Sequence, residues 1–196
     1  MQAPKRPWPA ARSLDAVILA GASARRLGGA DKPLVEVAGR TLLDHVLAAV
    51  RDLAASIIVA GPERAGFSGI RWVEEEPPGG GPVAALAAAL ALVDTAAVLV
   101  LAADLPRVAP AIPLLVGGLG EADAAMLVAG GRPNYLAAVW RTRSLGDRLA
   151  AVGDPRGVAV RTLYRDVAVT EVLDPADWSS DCDTWDEIAR LREETA

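Results

Sequence analysis

Hydrophobic positions fall into short, near-continuous apolar runs separated by longer stretches with helical spacing. Val17, Ile18 and Leu19 make Asp15 to Ala20 a strand buried on both faces, and the run stops abruptly at Gly21. Thr41 is an N-cap candidate, after which Leu42, Leu43, Val46, Leu47 and Val50 recur at helical spacing and predict a helix to Leu53. Ser56 to Ala60 is a second buried strand closed by Gly61-Pro62, and Ile70 to Glu74 is a short third. Gly79-Gly80-Gly81-Pro82 then opens a helix running to Val93, with proline at the first helical turn. Ala96 to Ala103 is the most apolar strand and ends at Asp104-Leu105-Pro106.

The second half is less regular. Pro110 to Leu119 predicts a helix, Ala124 to Ala129 and Tyr135 to Arg141 strands, and Arg143 to Val152 and Val158 to Asp166 helices. Val167 to Val172 reads as a late strand, and Thr184 to Glu194 as a final helix with Thr184 and Glu187 forming a capping box. Strands separated by helices at this rhythm imply parallel βαβ units with right-handed crossovers, a three-layer α/β/α fold on a mostly parallel sheet. Ligands in such sheets bind outside the carboxyl ends of the strands, which places the Gly21 loop and Asp104 at one crevice.

That crevice has chemistry suited to a polyphosphate. Between Gly21 and Lys32 the chain carries three glycines, two arginines and one lysine among small residues. Glycine lets backbone approach a ligand closely, and N–H groups in such loops form anion-binding nests. Arginine adds a fork and lysine a point charge. Neither familiar phosphate loop matches, because Lys32 follows Asp31 and precedes Pro33, and the glycine spacing fails G-x-G-x-x-G. A carboxylate at a strand end, Asp104, suits a hard oxygen-ligated ion such as Mg²⁺.

Composition narrows the alternatives. At 196 residues the chain reads as one domain over residues 14–196 behind a frayed tail, residues 1–13, which holds Lys5, Arg6 and Arg12 with three prolines. Mean hydropathy is +0.27, but the excess is largely alanine. No apolar run reaches the ~18 residues that span a bilayer, and none has the form of a signal peptide. A net charge of −5 with 4% aromatics argues against nucleic acid. A single cysteine, Cys182, fits a reducing compartment, and cytoplasm is the expectation. It has no histidine nearby to activate it, and the one histidine, His45, reads as a partly buried structural residue on its helix.

The stretch from Leu19 to Lys32 resembles the signature L-A-G-G-x-x-x-R-[ML]-G-x-x-D-K of the sugar-nucleotide type of nucleotidyltransferase, most closely that of the molybdenum cofactor guanylyltransferases. Leu19, Ala20, Gly21, Arg26, Leu27, Gly28, Asp31 and Lys32 match, and Ala22 replaces the second glycine. Asp104-Leu105-Pro106 is similar to the family's D-x-P, whose aspartate holds magnesium, and Gly81-Pro82-Val83-Ala84 to its G-P-[LV]-A element at the base. Asp181-Cys182-Asp183-Thr184 is similar to the late [DN]-x-[DN]-T-P element, with Trp185 in place of proline. Arg132-Pro133-Asn134-Tyr135 falls where relatives place acceptor-side residues, and Trp178 and Trp185 flank the late aspartates.

The resemblance implies a Rossmann-like, glycosyltransferase-A-like fold and transfer of GMP from GTP to Mo-molybdopterin with release of pyrophosphate. It implies Arg26, Lys32 and Asp104 as catalytic residues and Leu19, Ala20, Gly21, Ala22, Arg26, Lys32, Glu75, Gly80, Gly81, Pro82 and Asp104 around the nucleotide. Asp104 and Asp183 would share one Mg²⁺, and other proteins of molybdenum cofactor biosynthesis would be partners. The same signature serves cytidylyl transfer and other small phosphate acceptors. The Ala22 departure also motivates a reading from another class, a nucleotide-binding regulatory protein without turnover.

Overall fold

The computed structural model describes residues 13–21 and 31–194. Ala22, Arg26, Gly28 and the tail expected over residues 1–13, except Ser13, lie outside the described residues. The architecture is a seven-stranded sheet with helices on both faces.

The elements are β1 (Leu14–Leu19), β2 (Glu36–Val37), β3 (Arg40–Thr41), α1 (Leu42–Val50), β4 (Ala54–Ala60), β5 (Arg71–Val73), α2 (Pro82–Leu90) and β6 (Ala97–Ala102). They continue as α3 (Ile112–Gly118), β7 (Ala124–Ala129), β8 (Arg132–Arg141), α4 (Thr142–Val152), β9 (Val169–Leu173) and α5 (Trp185–Glu194). Sheet order is β5-β4-β1-β6-β8-β7-β9. The first four of these strands are mutually parallel, and β8 runs antiparallel to both β6 and β7. The sheet is therefore mostly parallel, as the alternation of strands and helices implied.

Alternation along β1 explains the layers. Ala16 and Ile18 point to one face, where Leu43, Val46 and Leu47 of α1 and Ile112 and Leu115 of α3 cover them. Val17 and Leu19 point to the other, against Val83 and Leu86 of α2 and Leu145 of α4. Both faces are closed to water, so β1 is apolar apart from Asp15, whose Oδ2 accepts from the Asp94 N–H at 2.8 Å. Burying a side chain such as Leu86 contributes about 2 kcal/mol.

Local signals explain the termini. The capping box of α1 is Thr41 with Asp44: the Asp44 N–H donates to Thr41 Oγ1 at 3.0 Å, and the Thr41 N–H to Asp44 Oδ2 at 3.3 Å. At α5 the Thr184 N–H donates to Glu187 Oε2 at 2.8 Å and the Glu187 N–H to Thr184 Oγ1 at 3.3 Å. His45 Nε2 lies 3.0 Å from the Val37 carbonyl oxygen, consistent with a structural role.

Three elements differ from expectation. The helix expected over Val158 to Asp166 is a 3-10 turn, Val160–Tyr164. Tyr164 is locked there, because its hydroxyl donates to the Tyr135 carbonyl at 2.8 Å and accepts from Trp140 Nε1 at 3.2 Å. The strand expected from Tyr135 begins at Arg132: Pro133 pairs with Val128, and a register shift in the β7–β8 pairing falls between Asn134 and Ala138. The β2–β3 hairpin was not anticipated. It matters because Val35, Val37 and Leu42 pack with Cys182, Ile188 and Leu191, docking α5 against the hairpin and the first turn of α1.

Candidate functional site

The carboxyl ends of β1 and β6 face one cavity of about 470 Å³. Leu19, Ala20 and Gly21 form one wall and Ala102, Ala103 and Asp104 the next, with Lys32, Glu75, Gly79, Gly81 and Pro82 completing it. Nine of the expected nucleotide residues thus come together: Leu19, Ala20, Gly21, Lys32, Glu75, Gly81, Pro82 and Asp104 line the cavity, and Gly80 sits directly behind. Ala22 and Arg26 belong to the segment outside the described residues.

Lys32, the lysine of the phosphate loop, is buried. It opens a 3-10 turn, Lys32–Leu34, and is 5% exposed. Its ammonium pairs with Asp104 Oδ2 and donates to Asp183 Oδ1 at 2.5 Å. Burial acts to lower the Lys32 pKa, but the carboxylates of Asp104 and Asp183 outweigh it, so the value is raised and the ammonium stays charged. Asp183 reaches this position because the docking of α5 returns the chain to the crevice.

Asp104 and Asp183, expected to share a divalent ion, are brought together with Lys32 between them. Among the described residues no group of three or more His, Cys, Asp or Glu side chains is arranged to hold a metal alone. The donors nevertheless fit a hard cation completed by ligand oxygens: Asp104 Oδ1 is buried and has no hydrogen-bond partner. A buried acceptor without a donor is costly, and a cation or a donor carried by a ligand would relieve it.

The glycine segment is held from behind. Glu75 Oε1 accepts from the Gly79 and Gly80 N–H groups, each at 3.1 Å. The Gly79 and Gly80 N–H groups are therefore both taken by Glu75. A Cβ on Gly80 would lie 2.7 Å from that of Ala84, so only glycine fits there. Gly81, the N-cap of α2, has φ +91°, and Pro82 follows at the first helical position.

A second groove of about 830 Å³ adjoins the first, with Leu136 bordering both. It is lined by Arg132, Pro133, Asn134 and Tyr135, placed there because β8 runs antiparallel to β6 and so starts at the crevice end. Asn134 Nδ2 donates to the Ser179 carbonyl at 2.8 Å, stitching β8 to the late aspartate segment. Asp181 also lines this groove, and partial burial with the carboxylates of Asp183 and Asp104 raises its pKa. Neither Trp178 nor Trp185 is among the residues lining either space.

One residue of the site had no sequence signal. Arg64, in the turn after β4, is buried and donates from Nε and Nη2 to the two oxygens of Asp31, both at 2.7 Å.

The model of the MobA-like NTP transferase domain matches residues 16–171. A molybdenum cofactor guanylyltransferase of Acidiphilium cryptum is 36% identical over 137 residues, 67% of this chain and 69% of the relative. One from a Bradyrhizobium species is 31% identical over 188 residues, 88% and 89% of the two chains. The crystal structure of molybdopterin-guanine dinucleotide biosynthesis protein A from Archaeoglobus fulgidus superposes with a TM-score of 0.69 at 20% identity, covering 92% of this chain and 98% of that one.

Proposed function

We propose that this chain, which belongs to the MobA-like NTP transferase family, is a nucleotidyltransferase that moves GMP from GTP to the terminal phosphate of Mo-molybdopterin, with Mg²⁺ as cofactor. The observation that carries this reading is the cavity where Gly21, Lys32, Glu75, Gly81 and Asp104 converge at the strand carboxyl ends. The guanylyl donor and molybdopterin acceptor are inferred from the names of the relatives. Residues 14–196 act as one catalytic domain, an assignment supported by the continuous sheet.

In this reading a phosphate oxygen of the acceptor attacks the α-phosphorus in line. The bond from that phosphorus to the bridging oxygen breaks, and pyrophosphate leaves with the electron pair. No protein nucleophile is required. Lys32, already charged and fixed, neutralises triphosphate oxygens, and Arg26 adds a second cation from the motif. Asp104 and Asp183 would hold Mg²⁺, which supplies charge neutralisation at the transferring phosphoryl group. The acceptor lies in the groove of Arg132 and Asn134, whose shared border with the nucleotide cavity at Leu136 brings the two phosphates together. Molybdenum cofactor biosynthesis proteins that deliver the acceptor are the expected partners. The buried, reduced Cys182 accords with cytoplasm.

Pyrophosphate release with each nucleoside triphosphate and molybdopterin tests the proposal. Release with GTP supports it. Release with CTP alone would move the chain to cytidylyl transfer, and tight nucleotide binding without release would favour a regulatory role.

A further inference from the structure

We propose that Arg64 is a positioning residue of the transfer reaction, locking Asp31, and through it Lys32, onto the end of β1. The proposal rests on the reading that Lys32 faces the triphosphate. The Arg64 side chain is 7% exposed. Besides its two-pronged pair with Asp31, its Nη2 donates to the Ala20 carbonyl at 3.0 Å and its Nη1 to the Pro62 carbonyl at 3.0 Å. One guanidinium thus joins Ala20, the residue after β1, to Asp31, the residue before the 3-10 turn.

Two further observations point the same way. Asp31 occupies the N-cap position of the 3-10 turn, yet its carboxylate makes no capping bond there. It is turned onto Arg64 instead, so the N-cap side chain anchors the turn from outside. Gly61, at φ +146°, lets the 61–64 turn lie flush on β1, since a Cβ there would come within 2.9 Å of the Ala20 carbonyl carbon and oxygen. The next residue after Asp31 is Lys32, and the Leu34 and Val35 N–H groups bond back to the Asp31 and Lys32 carbonyls at 2.9 and 3.1 Å. Movement of Asp31 therefore carries the ammonium with it. Four N–H bonds to the protein occupy the buried guanidinium, so it acts through Lys32 and not on substrate. A lysine cannot reproduce this fork.

The test compares Arg64→Lys and Asp31→Asn with Lys32→Ala as reference, measuring KM for GTP and CTP, KM for molybdopterin, melting temperature and hydrogen exchange at the Leu34 and Val35 amides. Asp31→Asn is the safer fold, because its side chain is 43% exposed. We expect kcat/KM for the nucleotide to fall about 10²-fold, mostly through KM, as for a comparable misplacement of a catalytic group. Acceptor KM should hold, the two amides should exchange faster, and the double variant should be no worse than either single. Unchanged nucleotide KM and exchange in both variants, beside an impaired Lys32→Ala chain, overturns the clamp alone. Loss of kcat that follows only a lower melting temperature does the same. A Lys32→Ala chain with parental kcat and parental nucleotide KM overturns the site reading and the clamp together.

Discussion

Lys32 Nζ donates to Asp183 Oδ1 at 2.5 Å, joining residues 151 positions apart. The same ammonium pairs with Asp104, so one buried cation holds together the beginning, middle and end of the chain.

Removing that cation should affect folding as well as catalysis. Lys32→Ala removes the ammonium that stands between Asp104, with a side chain 18% exposed, and Asp183, at 40%. We expect a loss of about 1–3 kcal/mol in stability, moderated by solvent on the Asp183 side. Turnover should fall about 10²-fold or more beyond any unfolded fraction. Denaturant unfolding and pyrophosphate release measured on one preparation separate the two effects.

Asp104→Asn keeps the shape of the side chain but removes its charge. If Asp104 holds Mg²⁺, turnover should fall at least 10³-fold while the fold persists, and chelation of the parent should mimic it. Asp183→Asn should be milder, since Asp183 is the more exposed partner. With Mn²⁺ and nucleotide, an anomalous peak should lie within ~2.5 Å of an Asp104 oxygen. A peak elsewhere would refute the assignment.

The parts of this site that were legible in sequence are those set by local pattern. Val17, Ile18 and Leu19 announce β1 because a strand covered on both faces is simply apolar, and Thr41 and Thr184 announce their helices because capping is a local bond. Asp104 was found because it directly follows such a run. The burial of Lys32 was not legible, since it depends on Asp183 arriving from the far end of the chain. Arg64 is an ordinary turn arginine until Asp31 meets it. The two hairpins did carry a signal that went unread: Ala38-Gly39 and Gly130-Gly131 both have positive φ at successive residues, as two-residue hairpin turns require.

Cys182 should be inert. It is 6% exposed, and burial together with the Asp104 carboxylate pushes its pKa up to about 11. The thiolate, the reactive form, is then scarce at pH 8. Iodoacetamide should leave the folded chain unmodified and fully active while alkylating it in urea. Rapid labelling of the native chain, detected by mass, would contradict the packing of α5 on the β2–β3 hairpin.

Asp174, which lines the second groove, should make stability acid-sensitive. Burial acts to raise its pKa, but the Ser179 hydroxyl, at 2.7 Å, and the Ser179 and Trp178 N–H groups, at 2.8 and 3.0 Å, lower it overall. A depressed folded value means that the carboxylate's contribution is present above the unfolded value of 3.8 and is lost as pH falls through the folded one. Asp174→Asn lacks that ionisation. The gap in melting temperature between parent and variant should be constant from about pH 5 to 8 and narrow below about pH 4. A gap independent of pH down to about pH 2 would remove the carboxylate from the account.

Glu75 offers the sharpest distinction between binding and chemistry. Its Oε1 holds the Gly79 and Gly80 N–H groups, and the segment so fixed forms one wall of the nucleotide cavity at Gly79 and Gly81. The side chain stands on the loop beyond β5, and its Oε1 hydrogen bonds go to Gly79 and Gly80. Glu75→Ala should therefore loosen the wall that receives the nucleoside without disturbing the groups that neutralise phosphate. Losing a charge-assisted anchor of about 1.5–3 kcal/mol, part of which other contacts of the segment retain, corresponds to a rise in nucleotide KM of about tenfold. The kcat at saturation should be near the parent's, because uniform binding energy raises KM without entering the transition state alone. Glu75→Gln, which keeps a carbonyl acceptor for both N–H groups, should recover most of the lost affinity if anchoring is the role. If Gln fails where Glu succeeds, the carboxylate charge itself is being read by the nucleotide, and Glu75 becomes a direct contact to the base.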